Sequence, residues 1–488
     1  MGPWTKYSLA AAASVAFAVL LVALSPDIGP WGDGLGILKA LADETGVNQR
    51  AYHIGYRVLA RLAVDVGTPL GLAPEAAAIH LSRVCIAIGA LLCVWCARAR
   101  GSCAPAAFVC TALVLATPSL WFFAGVVEVH GVQFMGSAVA LAIGLAAARR
   151  EQPLARFGLV AVASGVALAL HLSHLLMVPA LIALAAPPFE RRARRVWIGF
   201  AVLALLGLFV ALGSYALYRA SNDVAPEGWL NGVYYLGLYE HLFLQFRSGF
   251  GWFGPGEVFE FLGDQALGQG GVVWLAALAG VIGARGRERA AFVLLVATYL
   301  LVVPQAGIRE RGAYFVSLFP WFVAFAAPLV RGRAGLTFAC ALLVPQLALG
   351  WRDLSRYAQR PDARAWAREV MAVVEQPCAI YTGDMVRVDA LPGAHPGFDP
   401  FQWNQQFEFT PRRNWTEKLE QPYEHALGQA LTKGRLYLDA QIIGLGLEPH
   451  RLEPWQQWAR DLFAPWPIEL VPVEGDLVVE VRVVESKR

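Results

Sequence analysis

The sequence predicts a mainly α-helical, polytopic membrane protein of about eleven transmembrane helices, followed by a small α/β domain outside the membrane. Of the 488 residues, 57% are hydrophobic and only 16% are charged, whereas about a quarter of the residues in a soluble domain are charged. Arginine clusters recur between long apolar stretches, and the composition becomes polar near residue 352. We therefore expect a transmembrane domain over residues 1–351 and a soluble extracytoplasmic domain over residues 352–488.

The first apolar segment, residues 7–24, follows Lys6 and is long enough to cross a bilayer core of about 30 Å. A poor small-residue cleavage pattern favours an uncleaved anchor over a signal peptide. The chain then emerges on the outer side, where residues 25–75 form the first outer loop. Within that loop, apolar residues at helical spacing in residues 48–63 predict an amphipathic helix on the membrane surface.

Arginine clusters mark the predicted cytoplasmic turns, because cytoplasmic loops carry an excess of Lys and Arg. Apolar stretches of double length between the clusters predict helical hairpins with outward-facing tips, and shorter stretches predict single spans. The hairpins are residues 102–148, 157–189 and 290–330, the single spans are residues 76–97, 196–217, 270–284 and 334–350, and residues 218–269 form a large outer loop.

This topology places the N-terminus in the cytoplasm and the C-terminal domain on the outer, periplasmic side, most simply in a bacterial inner membrane. In that C-terminal domain the pattern predicts a helix over residues 362–375 and a strand over residues 378–382. Apolar and polar residues alternate over residues 468–485, which predicts a β-hairpin that turns at residues 474–476.

Several function classes are disfavoured by composition. A net charge of +3 and the lack of a basic run interleaved with aromatics argue against nucleic acid as a partner. Six of the seven cysteines lie in apolar spans, which argues against a disulfide framework. Cys93 and Cys96 have CxxC spacing, but they lie in a hydrophobic helix without His or carboxylate neighbours and are more typical of small core residues.

The ionisable residues that interrupt the apolar stretches all fall on the predicted outer side. Such residues are costly near a membrane and usually have partners or a function, so we expect one shared outward-facing cavity. Asp33, in the context Trp-Gly-Asp-Gly, lies just beyond the first span. The other members of the set are His53 and Arg57, Glu128 and His130, His171 and His174, Arg247, and Arg309, Glu310 and Arg311.

The order and spacing of several motifs resemble the GT-C superfamily of integral-membrane glycosyltransferases. The resemblance covers about residues 1–330 and is closest to the branch of the eukaryotic transmembrane O-mannosyltransferase of plexin-type receptors and its bacterial relatives. The matching text is Asp33-Gly34-Leu35-Gly36, His53-Ile54-Gly55-Tyr56, Trp121 with Glu128-Val129-His130, His171-Leu172-Ser173-His174 through Pro179, and Arg309 through Phe315. Three departures are Gly36 in place of the second loop acid, Ile54 in place of a proline and His130 in place of a tyrosine.

The resemblance implies transfer of a hexose, with mannose as one candidate, from a polyprenyl-phosphate donor in the bilayer to an extracytoplasmic hydroxyl of a protein, lipid or glycan. A carboxylate deprotonates the acceptor, and cations stabilise the departing phosphate. We assign catalysis to Asp33 as base and Glu128 as its partner, and Asp43 or Glu44 is the alternative second carboxylate. The predicted phosphate ligands are Arg309, Arg311, Arg247 and Arg57, and the predicted substrate-binding residues are His53, Tyr56, His130, His171 and His174.

Other interpretations of the same residues stay open at the level of sequence. Trp-Gly-Asp-Gly is also typical of a turn, Glu128 of a helix end, the arginines of interface anchors and the histidines of packed polar groups. No closed set of metal ligands is visible, although Asp33, Glu128 and the histidines leave a divalent cation open. A polytopic transporter or lipid flippase with an appended outer domain is the main alternative, and a non-catalytic envelope scaffold is a weaker one. Transporters tend to have internal repeats, and none is clear here.

Overall fold

The computed structural model describes parts of residues 12–41, then residues 54–185, 251–358 apart from 308, 363–383 and most of 387–483. The predicted span at 196–217, the outer loop up to residue 250 and most of the predicted anchor lie outside these residues. The helices of the membrane region are α1 Ile54–Gly67, α2 Pro74–Ala99, α3 Ala104–Leu115, α4 Pro118–Phe123, α5 His130–Ala148, α6 Pro153–Leu170, α7 Val178–Ala185, α8 Pro255–Phe261, α9 Val273–Gly283, α10 Gly286–Ala306, α11 Phe319–Ala326 and α12 Gly332–Ala358.

Within the described part of the chain, four helices are long and apolar enough to cross a membrane, namely α2, α5, α10 and the first part of α12. Shorter apolar helices lie at 104–115, 155–170, 173–185 and 313–329. These helices occupy positions that the hydropathy pattern predicts. Because four of them can cross a membrane, the chain is an integral membrane protein. The expected total of about eleven spans stays a prediction.

Each predicted hairpin contains a break in its helical structure at the polar residues. The first break separates α3 and α4 from α5, the second is a 3₁₀ turn over Leu172–Met177 between α6 and α7, and the third separates α10 from a 3₁₀ turn over Ala313–Leu318 that leads into α11. Polar side chains interrupt the apolar period at these points, so the helices end there.

Residues 255–283 form a bent helical pair instead of the predicted loop followed by a span. Helix α8 continues through a π-helical segment, Leu262–Gly268, and this stretch meets α9 at an angle of 98°. Gly271 has a φ of 60° at the break. The buried side chain of Gln346, from α12, accepts a hydrogen bond from Val272 N and donates one to Gly270 O, so the backbone groups freed by the bend have partners.

A two-stranded parallel ladder joins the first outer loop to the first helical break. Strand β1, Gly29–Pro30, pairs with β2, Val126–Val127, so that Pro30 lies opposite Val127. Ile28 N also donates to Gly125 O at 2.9 Å. In sequence, Asp33 follows β1 by three residues and Glu128 directly follows β2.

Helix α1 packs on α2 and α6, and Gly55 makes a close backbone contact with the end of α6. A Cβ atom at this position would lie 2.4 Å from Ala169 O and 3.2 Å from Leu170 Cα. Only glycine therefore allows the start of α1 to approach the end of α6, immediately before His171.

We expect Gly55→Ala to lower the stability of the protein by about 1–3 kcal/mol, because the added methyl group meets backbone atoms that cannot move aside. Gly158→Ala, inside α6, is the matched control, since a Cβ there has no neighbour within 4 Å. It should raise stability by up to about 1 kcal/mol through helix propensity. Thermal unfolding in detergent measures both changes, and an unaffected Gly55→Ala variant would contradict the close contact.

Residues Arg360–Arg488 form a second compact unit together with His241–Val258 and Gln305–Ile308, whereas the membrane unit comprises Met1–Glu240, Phe259–Pro304 and Arg309–Gln359. The second unit contains helices α13 Ala363–Val373, α14 Gln421–Lys433 and α15 Pro454–Phe463. Its strands are β3 Cys378–Thr382, β4 Phe398–Gln402, β5 Arg435–Asp439, β6 Ile468–Pro472 and β7 Val478–Val483.

The strands of the second unit form one five-stranded sheet in the order β4-β3-β5-β7-β6. Strands β4, β3 and β5 are parallel, whereas β7 is antiparallel to both β5 and β6. Strand β3 has the bounds that the sequence predicts, and the predicted hairpin at 468–485 is present as β6 and β7. The extracytoplasmic location of this unit stays a prediction.

Candidate active site

The three helical breaks bring polar and aromatic side chains into one buried cluster in the membrane unit. The ring centroids of His130 and His171 are 5.8 Å apart, and those of His171 and His174 are 5.9 Å apart. Tyr314, from the third break, lies 6.3 Å from His130 and 5.9 Å from His171. Residues far apart in sequence therefore form one site, as their shared position in the topology predicts.

Gln133, on α5, connects the three breaks through its side-chain amide. Its Oε1 faces His130 Nδ1 at 2.7 Å, and its Nε2 donates to Ser173 Oγ at 2.9 Å and to Ser317 Oγ at 2.8 Å. The side chain is fully buried, so water cannot replace these partners. Ser137, one turn further along α5, donates to the backbone carbonyl of Ser317 at 2.5 Å.

The hydrogen bonds around His171 define which ring nitrogen carries its proton. Ser173 N donates to His171 Nδ1 at 3.1 Å, so that nitrogen is an acceptor, and Ser173 Oγ lies 2.8 Å from the same atom. The hydroxyl of Ser173 accepts from Gln133 and is therefore free to donate to His171. The proton of a neutral His171 is consequently on Nε2.

His174 has a different environment, since both of its ring nitrogens face backbone carbonyl oxygens. Nδ1 lies 2.6 Å from Ala167 O and Nε2 lies 3.0 Å from Gln133 O. A Cβ atom at Gly136 would lie 2.8 Å from His174 Cε1, so the ring is enclosed by α5. These contacts make His174 a link between α5 and the end of α6.

Glu128 is buried, with 5% of its surface exposed, directly before α5. Its Oε2 accepts from Val129 N at 2.8 Å, and its carbonyl accepts from Ser82 Oγ of α2 at 3.2 Å. A carboxylate at the start of a helix is stabilised by the helix dipole. Burial first, and then the nearby charge of Glu128, raise the pKa of the Tyr56 hydroxyl well above its ordinary value.

Tyr56 is fully buried on α1, and its hydroxyl has no hydrogen-bond partner among the residues that the structure describes. Because the hydroxyl stays protonated, it remains a hydrogen-bond donor within range of the Glu128 charge. Arg57 lies in α1, but its side chain is outside the described part of the protein. Asp33, His53 and Arg247 also lie outside it.

The turn over residues 309–312 carries three consecutive charged side chains, and each contacts a different element. Arg309 Nη2 lies 3.3 Å from Glu260 Oε1, and Glu310 Oε2 lies 3.5 Å from His130 Nε2. Arg311 pairs with Asp353 of α12. Arg311 and Gly312 have φ values of 50° and 70°, and Gly312 N donates to Gln265 Oε1 at 2.8 Å.

The two arginines of this turn have opposite environments. The side chain of Arg309 is 37% exposed, whereas that of Arg311 is 5% exposed. The Arg311 guanidinium also stacks on the Phe122 ring, 4.1 Å from its centroid. Arg311 therefore stabilises the turn through the Asp353 pair, and Arg309 is the arginine of the turn that solvent or a ligand can reach.

Several residues of the cluster were not among the sequence-predicted site residues, namely Gln133, Ser173, Ser317, Tyr314 and Asp353, and Glu310 was expected only as a member of the shared cavity. One signal exists for Gln133, because His130, Gln133 and Ser137 repeat at helical spacing on the otherwise apolar α5. The pairs that join different breaks, such as Gln133 with Ser317, leave no local pattern in the sequence.

In the described ranges, no group of three or more His, Cys, Asp or Glu residues is arranged to hold a metal ion.

No family model and no curated protein matches the sequence. Solved structures do match its fold. ArnT from Cupriavidus metallidurans, bound to undecaprenyl phosphate, has a TM-score of 0.53 at 15% identity over 97% of this chain and 98% of that one. The oligosaccharyltransferase AglB from Archaeoglobus fulgidus, in complex with an inhibitory peptide and a dolichol-phosphate, has a TM-score of 0.56 at 11% identity over 100% of this chain and 75% of that one.

A second structure of the Archaeoglobus fulgidus oligosaccharyltransferase, in complex with Zn and sulfate, has a TM-score of 0.52 at 12% identity and covers 89% of this chain and 68% of that one. These matches confirm the GT-C fold that the motifs predict, and at such identities they concern the fold alone. The closer resemblance to the O-mannosyltransferase branch stays a prediction.

We expect Gln133→Leu to destabilise the protein by about 3 kcal/mol, because it removes the amide partner of His130, Ser173 and Ser317 in a buried position. Ser164→Ala is the matched control, since Ser164 Oγ is buried without a hydrogen-bond partner in the described structure. It should leave stability unchanged or slightly higher. Thermal unfolding in detergent compares the two, and equal effects would contradict the connecting role of Gln133.

Proposed function

We propose that the protein is a membrane glycosyltransferase that moves a sugar from a polyprenyl-phosphate donor to the hydroxyl of an extracytoplasmic acceptor. One observation carries the proposal: within a GT-C fold, the breaks between apolar helices bring together Glu128, the histidine cluster and the turn of Arg309. The ArnT structure, which matches this chain over nearly the whole length of both proteins, contains bound undecaprenyl phosphate. That likeness supports a lipid-phosphate donor for this chain.

In the proposed step, the acceptor oxygen attacks the anomeric carbon, and the bond from that carbon to the phosphate oxygen breaks. The hydroxyl proton passes to the carboxylate of Asp33, and polyprenyl phosphate leaves with the bonding electron pair. Direct displacement inverts the anomeric configuration. The β1–β2 ladder supports the pairing of Asp33 with Glu128, since three residues beyond Pro30 reach at most about 11 Å from it.

The leaving phosphate needs a cation that it can reach. We assign this role first to Arg309, because its guanidinium is partly exposed and pairs only loosely with the exposed Glu260. Arg311 supports the turn from beneath, and Arg247 and Arg57 remain candidates for further phosphate contacts. Positive charge at this point stabilises the more highly charged phosphomonoester product more than the singly charged phosphodiester of the donor, which favours transfer.

The sugar and acceptor would contact the histidine cluster and the residues around it. His130 and His171 present ring edges beside Tyr314, and His53 and Tyr56 flank the start of α1. His174 contributes by fixing α5 against the end of α6. We propose a hexose, with mannose as the first candidate, and an acceptor that is a protein, lipid or glycan on the outer face of a bacterial inner membrane.

Asp33→Asn should lower sugar transfer by at least about 100-fold, because the amide cannot accept the acceptor proton. Purified protein, a radiolabelled polyprenyl-phosphate hexose and an acceptor extract provide the assay. Asp65→Asn is the matched control, since Asp65 is an exposed acid on α1 that pairs with Arg61. Transfer that survives Asp33→Asn would exclude Asp33 as the base. An equal loss of transfer in Asp65→Asn would show that the effect is not specific to Asp33 and would contradict the assignment.

Arg309→Gln and Arg311→Gln should have different effects. Loss of the exposed guanidinium at 309 should raise KM for the donor by about fivefold to tenfold with unchanged stability. Loss of the buried guanidinium at 311 leaves Asp353 without its ion-pair partner and should cost about 3 kcal/mol of stability. Adding Asp353→Asn should recover part of that loss. Donor kinetics and thermal unfolding separate the two roles, and a reversed pattern would contradict the assignment.

A further inference from the structure

Glu310 is the one acid of the 309–311 turn, and its carboxylate is held at the rim of the histidine cluster. The pairs of Arg309 with Glu260 and of Arg311 with Asp353 hold the backbone on both sides of it. Ala313 N donates to Glu310 O at 2.9 Å, which closes the turn. The Glu310 side chain is 36% exposed, while its partner His130 is 2% exposed. A partly solvated acid thus contacts a buried imidazole from a fixed position.

Both ring nitrogens of His130 face oxygen acceptors. Nε2 faces the Glu310 carboxylate, and Nδ1 faces Gln133 Oε1. The orientation of the Gln133 amide agrees with this, because its Nε2 supplies hydrogens to two serine hydroxyls. A neutral imidazole donates from only one nitrogen, whereas an imidazolium donates from both. The arrangement is fully satisfied only when His130 is a cation.

With His130 as a cation, the hydrogen bonds from His130 to His171 form a chain in which each member donates to the next. His130 donates to Gln133, Gln133 donates to Ser173, and Ser173 donates to His171 Nδ1. Each member is polarised by the one before it, so the charge at the first affects the last. Reversal of the chain would make Ser173 Oγ donate to Gln133. Ser173 Oγ and His171 Nδ1, which already accepts from Ser173 N, would then face each other as two acceptors.

We infer that Glu310 is a positioning residue that holds His130 as an imidazolium and, through Gln133 and Ser173, holds His171 with its proton on Nε2. As a role in catalysis, the inference rests on the proposed function. It adds a specific chemistry to that function: a fixed positive charge two residues after Glu128, and an N–H donor on the neighbouring histidine. Both favour a substrate that develops negative charge, as the departing phosphate does.

The charge and tautomer of the two histidines can be observed directly by ¹⁵N NMR of histidine-labelled protein in detergent at neutral pH. The chain has nine histidines, and His130→Asn and His171→Asn variants assign the two signals. We expect His130 protonated on both nitrogens and His171 protonated on Nε2 alone. A neutral His130 in the wild-type protein would overturn the inference, whatever the activity of the enzyme.

Glu310→Gln keeps the shape and removes the charge, so His130 should become neutral. In the transfer assay kcat should fall about tenfold, with KM for the donor changed less than twofold. Glu310→Asp should restore the imidazolium and part of kcat. Glu288→Gln is the matched control, because Glu288 pairs with Arg100 at 2.7 Å near the opposite end of α10, and it should change neither readout.

A Glu310→Gln variant with wild-type kcat, or with His130 still doubly protonated, would overturn the positioning role. Wild-type protein that transfers no sugar from any polyprenyl-phosphate donor would instead overturn the proposed function, and the NMR spectrum would still decide the charge of His130. If the Glu310→Gln variant unfolds, the wild-type NMR spectrum and the Glu310→Asp variant test the role of Glu310 instead.

Discussion

The site depends on one constraint, which is the free-energy cost of burying a polar side chain among apolar helices without hydrogen-bond partners. Gln133 meets this constraint by contacting His130, Ser173 and Ser317. These partners belong to three separate breaks in the helical structure, so the amide can be satisfied only when the breaks lie together. The geometry of the histidine cluster follows from that requirement.

The remaining polar contacts place charged groups around this centre. The β1–β2 ladder places Pro30, three residues before Asp33 in sequence, opposite Val127, which directly precedes Glu128. The close contact at Gly55 brings the start of α1 to the end of α6. The turn of residues 309–312 is held by two ion pairs, to α8 and α12, and by the contact of Glu310 with His130 at the start of α5. Arg311 and Gly312 have left-handed backbone conformations. The exposed Arg309 and the buried Arg311 separate the proposed phosphate binding from structural support.

The hydropathy and the spacing of apolar residues predicted the helices and strands that depend on local sequence alone. The span predicted at 76–97 is α2, Pro74–Ala99, and the predicted strand at 378–382 is β3. The right-angle bend after Gly268 was not predicted, because it depends on Gln346 supplying hydrogen bonds from a helix about 75 residues away in sequence. The Glu310–His130 pair and the burial of Arg311 likewise depend on long-range packing. The positive-inside pattern predicts that the ionisable residues share one side of the membrane, and the structure brings His130, His171 and Glu310 together. Their individual partners were not predictable.

The most direct test of the account is the molar balance of the lipid product. With a doubly labelled polyprenyl-phosphate hexose and an acceptor extract in proteoliposomes, a glycosyltransferase releases one polyprenyl phosphate for each sugar that appears on the acceptor. We predict this one-to-one ratio and its loss in Asp33→Asn. Movement of the intact labelled lipid across the bilayer without sugar transfer would contradict the account and would favour a transporter or flippase.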